Sequence, residues 1–231
     1  MSDAPTESLT AQFEALHAER VATWPADRLA KNVGQRQWLV DTFDPAKVVQ
    51  VGDVLDPFVL EDADGGVLTL DALTVNGPVL LIFFRFAGCP ACNIALPYYN
   101  RHLWPALDAA GVRLVAVSPH LPEQGLGDIR TRHNLRFSVA ADRDNALGRQ
   151  LGITFARDEV PAQPSAGWIG ELTGTGTQEL PQPAAILIDQ DRIVRFVDVS
   201  PDWLVRTEAP EILAAVERLT LVAERQPERV R

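Results

Sequence analysis

The spacing of apolar residues changes along the chain, and the changes divide it. In "SLTAQFEALHAERVATW" (8–24) Leu9, Phe13, Leu16 and Val21 recur at helical intervals, with Ser8 or Thr10 available to cap the start. A weaker helical pattern follows from Ala26 to Val40. The pair is expected to pack on the core or on a second subunit. Pro45 and the polar residues before it close this stretch, so 1–47 reads as a helical extension and 48–225 as the main domain.

After Val48 the period shortens. "PFVLEDADGGVLTL" holds two alternating runs around Asp64-Gly65-Gly66, which predicts a β-hairpin. "PVLLIFF" (78–84) is apolar at every position, as in a strand buried on both faces of a parallel sheet. A helix is expected from near Pro90, and the next central strand is "VRLVAVS" (112–118), after a turn at Gly111. Strand, helix and parallel strand make a right-handed βαβ unit. "GDIRTRHNL" and "NALGRQLGI" read as helices on either side of the short run "RFSVAAD". The Gly- and Pro-rich residues 155–182 read as a long loop or insertion near the site. "AAILIDQDRIVRFVDV" (184–199) predicts an antiparallel hairpin turning at Asp189-Gln190-Asp191. A last helix should begin at Thr207 or Glu208, with Ile212, Leu213, Val216 and Leu219 on one face.

Charge narrows the function. With 21 Lys and Arg against 31 Asp and Glu, the net charge of −10 argues against a nucleic-acid surface and against anionic membranes. The longest apolar run, Val79 to Phe84, is far short of a bilayer span. "MSDAPTESLT" has neither a basic residue nor an apolar run, so no signal peptide is expected and the cytoplasm is the expected location. In a reducing compartment a static disulfide is disfavoured and a transient one is not.

That matters because the only two cysteines stand three positions apart, in Cys89-Pro90-Ala91-Cys92. The pair falls where the first buried strand ends and a helix begins. Unpaired N–H groups and the helix dipole favour a thiolate there, and Pro90 suits the first helical position. Cys89 is expected at the exposed start as the attacking thiolate, and Cys92, one turn in and more buried, as the resolving thiol. A zinc site would need four ligands, and His17, His102, His120 and His133 are scattered. A coincidental pair of core cysteines is the other bland reading. A C-x-x-C in a βαβ setting points to redox chemistry.

With these residues in view, the chain resembles peroxiredoxin-like proteins of the alkyl hydroperoxide reductase/thiol-specific antioxidant (AhpC/TSA) type, in the thioredoxin-fold superfamily. The similarity covers about 48 to 220. "VGDVLDPFVLEDADGGVLTLDAL" resembles their opening hairpin, "VRLVAVSP" their second core strand, and "LPQPAAILIDQDRIVRF" their terminal hairpin. Pro97 matches the helix-kinking proline that follows the thioredoxin motif, although the dipeptide here is Pro90-Ala91. The resemblance implies an α/β thioredoxin-like fold, a central mixed β-sheet flanked by helices, with an N-terminal hairpin and a helical extension. It also implies that Gln182 and Pro183 form a substrate-binding loop facing the cysteines, with Pro183 cis.

The chain departs from that family at two positions. Where its members carry Thr or Ser three residues before the peroxidatic cysteine, this chain has Phe86 if that cysteine is Cys89, or Cys89 itself if it is Cys92, and Pro183 stands where they carry an Arg. Arg85 is the nearest replacement cation, with an inter-element ion pair as its duller role. Trp168, Tyr98 and Tyr99 are expected in apolar packing, and Asp142 and Asp189 in turns. The resulting expectation is a dithiol redox enzyme without cofactor or metal. It reduces hydroperoxides through Cys89 and Cys92, with Arg85, Phe86, Gln182 and Pro183 at the substrate. A thioredoxin-type or small-thiol donor restores it, and a homodimer fits. Two other readings remain open, an oxidoreductase acting on protein disulfides and a non-catalytic redox sensor or interaction module.

Overall fold

The computed structural model describes residues 7–156 and 166–224. The expectations for the extreme N-terminus (1–6) and for the middle of the 155–182 loop (157–165) lie outside the described residues.

Helices α1 (Leu9–Thr23) and α2 (Ala26–Thr42) form the extension. Ser8 caps α1, its Oγ accepting from the amide of Ala11 at 3.2 Å. Glu208, far along the chain, accepts from the free amides of Leu9 (3.1 Å) and Thr10 (2.9 Å). Leu9, Phe13 and Leu39 are buried in the same cluster as the central helix. The apolar face of the pair is thus turned onto the chain's own core.

The Asp64-Gly65-Gly66 turn joins β1 (Val59–Asp62) to β2 (Val67–Thr69), with both glycines at positive φ. Thr69 caps the short α3 (Leu70–Thr74). The apolar run becomes β3 (Val79–Phe83), buried at every position. The chain then passes through α4 (Cys92–His102) and α5 (Trp104–Ala109) to β4 (Arg113–Ser118), which pairs in parallel with β3. Next come α6 (Asp128–His133), β5 (Ser138–Ala141) and α7 (Ala146–Gln150). Within 155–182 the described residues form more than a loop. A strand β6 (Thr154–Phe155) pairs with β7 (Leu180–Pro181), and α8 (Ile169–Thr173) lies between them. Finally β8 (Ala184–Ile188), β9 (Val194–Val199) and α9 (Ala209–Glu224) complete the order.

The main sheet runs β2-β1-β5-β4-β3-β8-β9. Its centre, β5-β4-β3, is parallel, and β8 and β1 join it antiparallel. Successive residues of β3 serve opposite faces, which is why the run has no polar position. Leu80 and Ile82 pack with α1, α4, α6 and α9, and Val79, Leu81 and Phe83 pack with α3 and α7. The fold is a thioredoxin-like mixed sheet flanked by helices. Among the described residues no helix is long and apolar enough to cross a membrane.

One glycine sets a close approach. Gly152, at φ +70°, ends α7, and a Cβ there would lie 1.9 Å from the carbonyl oxygen of Lys47. The segment that links the extension to the domain is thereby fixed against α7.

Pro183 corrects an expectation: no peptide bond among the described residues is cis. The reason lies in the hydrogen bonds on either side. The amide of Gln182 donates to Ile153 O (2.7 Å), and Pro183 O accepts from the amide of Ser200 (2.8 Å). These hold one extended run from β7 into β8, and a trans bond suits it.

Candidate active site

The parallel strands β3 and β4 end at the same edge, and the chain leaves them toward one place. The carboxyl ends of parallel strands are the usual seat of α/β sites. The turn 84–91 leaves β3 there, and Ser118 and His120 leave β4. Phe83 pairs with Ala184, so Gln182 and Pro183 enter β8 at that edge too. Ser200, bonded to Pro183, brings in the segment that precedes α9.

The cysteine turn is held by side chains on every side. Ser118 Oγ donates to Arg85 O at 3.1 Å. The amide of Ala87 donates to Nδ1 of His120 at 3.1 Å, and Nε2 of His120 faces Gln124 O at 2.9 Å. An amide only donates, so this imidazole is neutral with its proton on Nε2. Burial lowers its pKa in the same sense. Asn93 Nδ2 donates to Ala87 O and Cys89 O, both at 2.8 Å. Its Oδ1 accepts from Arg132 (2.8 Å) and His133 (2.8 Å), and since a guanidinium cannot accept, the orientation of the amide is fixed.

Helical bonding starts at the first cysteine. The amide of Asn93 donates to Cys89 O (3.0 Å), one turn before the regular part of α4 at Cys92. Both thiols are free. Cys89 was expected to be exposed, but it is 2% exposed and Cys92 is fully buried. Phe13 of α1, Leu39 of α2, and Trp203 and Leu204 ahead of α9 share one apolar cluster with both sulfurs.

The sulfurs are driven in opposite directions. Cys89 is lowered to about 6, chiefly by the hydrogen bond from the Cys92 thiol. Burial opposes this, and the charges of Arg85 and Arg206 and the Cys92 amide assist it. Cys92 is raised by burial, by that same hydrogen bond and by the charge of Cys89. One sulfur thus takes the anion and the other keeps its proton.

The structure brings Arg85, Phe86, Gln182 and Pro183 to the same sheet edge as the cysteines, and it spreads their surroundings differently from expectation. Arg85 carries no ion pair among the described residues; its guanidinium lies 5.0 Å from the Trp203 ring centroid. Phe86 and Arg85 line a cleft of about 310 Å³ together with Phe155, Ile169 and Leu180. Tyr98 and Tyr99 are buried, and their hydroxyls bond to Glu208 (2.7 Å) and Thr207 O (2.8 Å), tying α4 to the segment before α9. Asp142 accepts the amides of Leu147 (2.9 Å) and Gly148 (2.8 Å) at the start of α7. Asp189 accepts those of Asp191 and Ile193 (both 2.9 Å) in the β8–β9 turn. Among the described residues no three His, Cys, Asp or Glu are grouped to hold a metal ion. Sequence reasoning missed Arg20, Asn93, His120, Trp203 and Arg206. Only Asn93 had a local signal, since it follows Cys92 directly; the others reach the site from distant segments.

The chain is similar to known proteins. Residues 51–197 match the model of the AhpC/TSA family. The thiol-disulfide oxidoreductase ResA of Geobacillus thermodenitrificans is 28% identical over 113 residues, which span 48% of this chain and 62% of ResA. The peroxiredoxin bcp of Coxiella burnetii is 28% identical over 105 residues, 46% of this chain and 68% of that protein. The crystal structure of the peroxidoxin BcpB of Mycobacterium tuberculosis superposes with a TM-score of 0.57 at 20% identity, covering 74% of this chain and 98% of that one. That likeness speaks for the fold. The family match runs from the segment before β1 into β9, well over half of the 231 residues, and the chain therefore belongs to the AhpC/TSA family.

Proposed function

We propose that this chain is a thiol peroxidase. The observation that carries the reading is a pair of free, buried thiols at the start of α4, one helical turn apart, with Cys89 pushed toward its anion and Cys92 toward its protonated form. Neighbouring groups pushed apart in this way mark the reacting pair of a site. The thiolate of Cys89 attacks one oxygen of a hydroperoxide. An S–O bond forms, the O–O bond breaks, and the alkoxide leaves and takes a proton from water. The charges of Arg85 and Arg206 favour the thiolate. The sulfenic acid on Cys89 then meets Cys92, whose sulfur displaces hydroxide and releases its proton, giving a disulfide and water. An external dithiol of the thioredoxin type, or a small thiol, returns two electrons.

In this reading residues 48–225 are the catalytic unit and 1–47 are the cover that closes over it. Phe86 excludes water from the turn, and Gln182-Pro183 offers its backbone to whatever docks at the edge. The test is hydroperoxide consumption coupled to a thioredoxin system. The wild type should turn over, Cys89→Ser should not, and Cys92→Ser should stop after one turnover with a sulfenic acid that dimedone traps. Turnover no faster than that of free dithiothreitol would sink the reading.

A second reading has one observation in its favour. Phe86 occupies the position from which peroxiredoxins donate a hydroxyl to the peroxide, and ResA, a thiol-disulfide oxidoreductase, is among the relatives. Reduction of insulin disulfides at a rate that Cys89→Ser abolishes, with no peroxide turnover, would establish that alternative.

A further inference from the structure

The sheet edge holds more positive charge than one thiolate uses. Arg20 is 4% exposed, Arg206 9% and Trp203 4%. Among the described residues, Nη1 of Arg20, Nη2 of Arg206, Nε of Arg85 and Nε1 of Trp203 are buried without a hydrogen-bond acceptor. These groups lie together. The guanidinium carbons of Arg20, Arg85 and Arg36 lie 5.3, 5.0 and 5.8 Å from the centroid of the Trp203 ring. Arg206 follows three residues after Trp203, and its charge acts on both cysteines. Asp202 is the one carboxylate bonded to the cluster among the described residues, and Arg36 takes both of its oxygens at 2.6 and 2.7 Å. Among the described residues, four guanidinium groups therefore have one bonded carboxylate between them, with Glu19 and the Cys89 thiolate acting on Arg20 through charge alone.

Buried donors without acceptors and buried cations without counter-charge are both costly, so folded proteins rarely leave them so. Here one nitrogen of each of three arginines and the indole of Trp203 are left so among the described residues, while Nη1 of Arg206 is met by Val205 O at 2.7 Å. The cleft that Arg85 shares has walls of Phe86, Phe155, Ile169, Leu172 and Leu180, and its volume of about 310 Å³ is that of a small-molecule site.

We propose that Arg20, Arg85, Arg206 and the indole N–H of Trp203 bind the carboxylate of the substrate, so that the hydroperoxide reduced at Cys89 is an organic acid whose apolar body lies in the cleft beside Phe86. The proposal rests on the peroxidase reading and adds to it the class of the oxidant. Cys89 sulfur donates the electron pair that forms the S–O bond; the O–O bond breaks and the alkoxide, once protonated by water, leaves as a hydroxy acid. The carboxylate stays unchanged on the arginines.

Two reagents of the same size and electrophile separate charge from access. Iodoacetate carries a carboxylate and iodoacetamide does not. On the full-length reduced protein, iodoacetate should label Cys89 about tenfold or more faster than iodoacetamide, because a charge-assisted hydrogen bond to a buried cation is worth more than a neutral one. The rate should saturate with iodoacetate concentration, and benzoate should slow it where benzamide does not. Arg20→Gln should remove the preference and Arg20→Lys should restore it in part. In a second measurement benzoate, but not benzamide, should compete with cumene hydroperoxide in the coupled assay. Equal labelling by the two reagents, or labelling by neither together with no inhibition by benzoate, overturns the anion site even where peroxide turnover is intact. Preference for iodoacetate without peroxide turnover supports the anion site and overturns the peroxidase reading instead.

Discussion

At the scale of the residue, the chemistry turns on where one proton sits. With Cys89 lowered to about 6, about nine-tenths of it is thiolate at pH 7, against a few per cent for an ordinary thiol. Its reaction with peroxide should therefore rise with pH through a midpoint near 6 and level off above about 7, as the 240 nm thiolate absorbance should. Because the Cys92 thiol is the first cause of the shift, Cys92→Ala should move the midpoint up further than Arg85→Gln or Arg206→Gln does. A midpoint unmoved by Cys92→Ala would show that the anion draws its stability elsewhere. Asn93 has a different task. It grips the turn by two carbonyls and is itself gripped by Arg132 and His133. Asn93→Ala leaves the part-buried carbonyls of Ala87 and Cys89 unmet and should lower stability by about 1–3 kcal/mol in denaturant unfolding, while the thiolate midpoint broadens or rises.

At the scale of the element, long-range caps matter more than propensity. Glu208 acts as a cap for α1 from the other end of the chain, bonding Ser8, Leu9, Thr10 and Tyr98. Burial would raise its carboxyl, but the amides of Thr10 and Leu9 and the Tyr98 hydroxyl bring it down to about 2. A carboxylate depressed in the folded state stabilises above its ordinary range, and that stability is lost as the pH falls toward 2. The melting temperatures of the wild type and Glu208→Gln should accordingly differ at pH 7 and converge near pH 2. Gly152→Ala should cost about 1–3 kcal/mol, from the positive φ and from the collision with Lys47 O.

The same scale shows what the sequence made legible. β3, the Gly65-Gly66 hairpin, β8–β9 and the helices around them follow from patterns that span a few residues, and those patterns survive in the fold. Strands of two residues such as β6 and β7 leave no period to read. The isomer of Pro183 was carried over from a resemblance, whereas the bond here is trans. The burial of Cys89 was illegible for a related reason. Its cluster draws in Phe13, Leu39 and Trp203 from distant segments, and nothing in Cys-Pro-Ala-Cys names them.

At the scale of the molecule, three separate stretches must close on one sulfur: the helical extension, the cysteine turn and the segment before α9. The Arg36–Asp202 pair joins the first to the last, with burial raising Asp202 and the guanidinium lowering it further to a net fall. Both side chains are about four-fifths buried, so a bidentate pair here is worth about 1–3 kcal/mol. Arg36→Gln should loosen α2 and speed the alkylation of Cys89 by iodoacetamide. Asp202→Asn should be worse for stability, since it removes the carboxylate from a cluster of four arginines. Equal melting temperatures for the two variants would contradict that ordering.

The neutral ring of His120 has a consequence for acid conditions. Folding depresses its proton affinity, so the denatured chain binds the proton more readily and stability declines as the pH drops below about 6.5. A protonated ring would confront the Ala87 amide with hydrogen against hydrogen, and the strand of chain carrying the nucleophile would be the first part pushed from its berth. Mild acidification should thus act as a fuse, disarming the sulfur while the sheet beneath it stands, and hydrogen exchange at Ala87 that outruns exchange in β3 would reveal it.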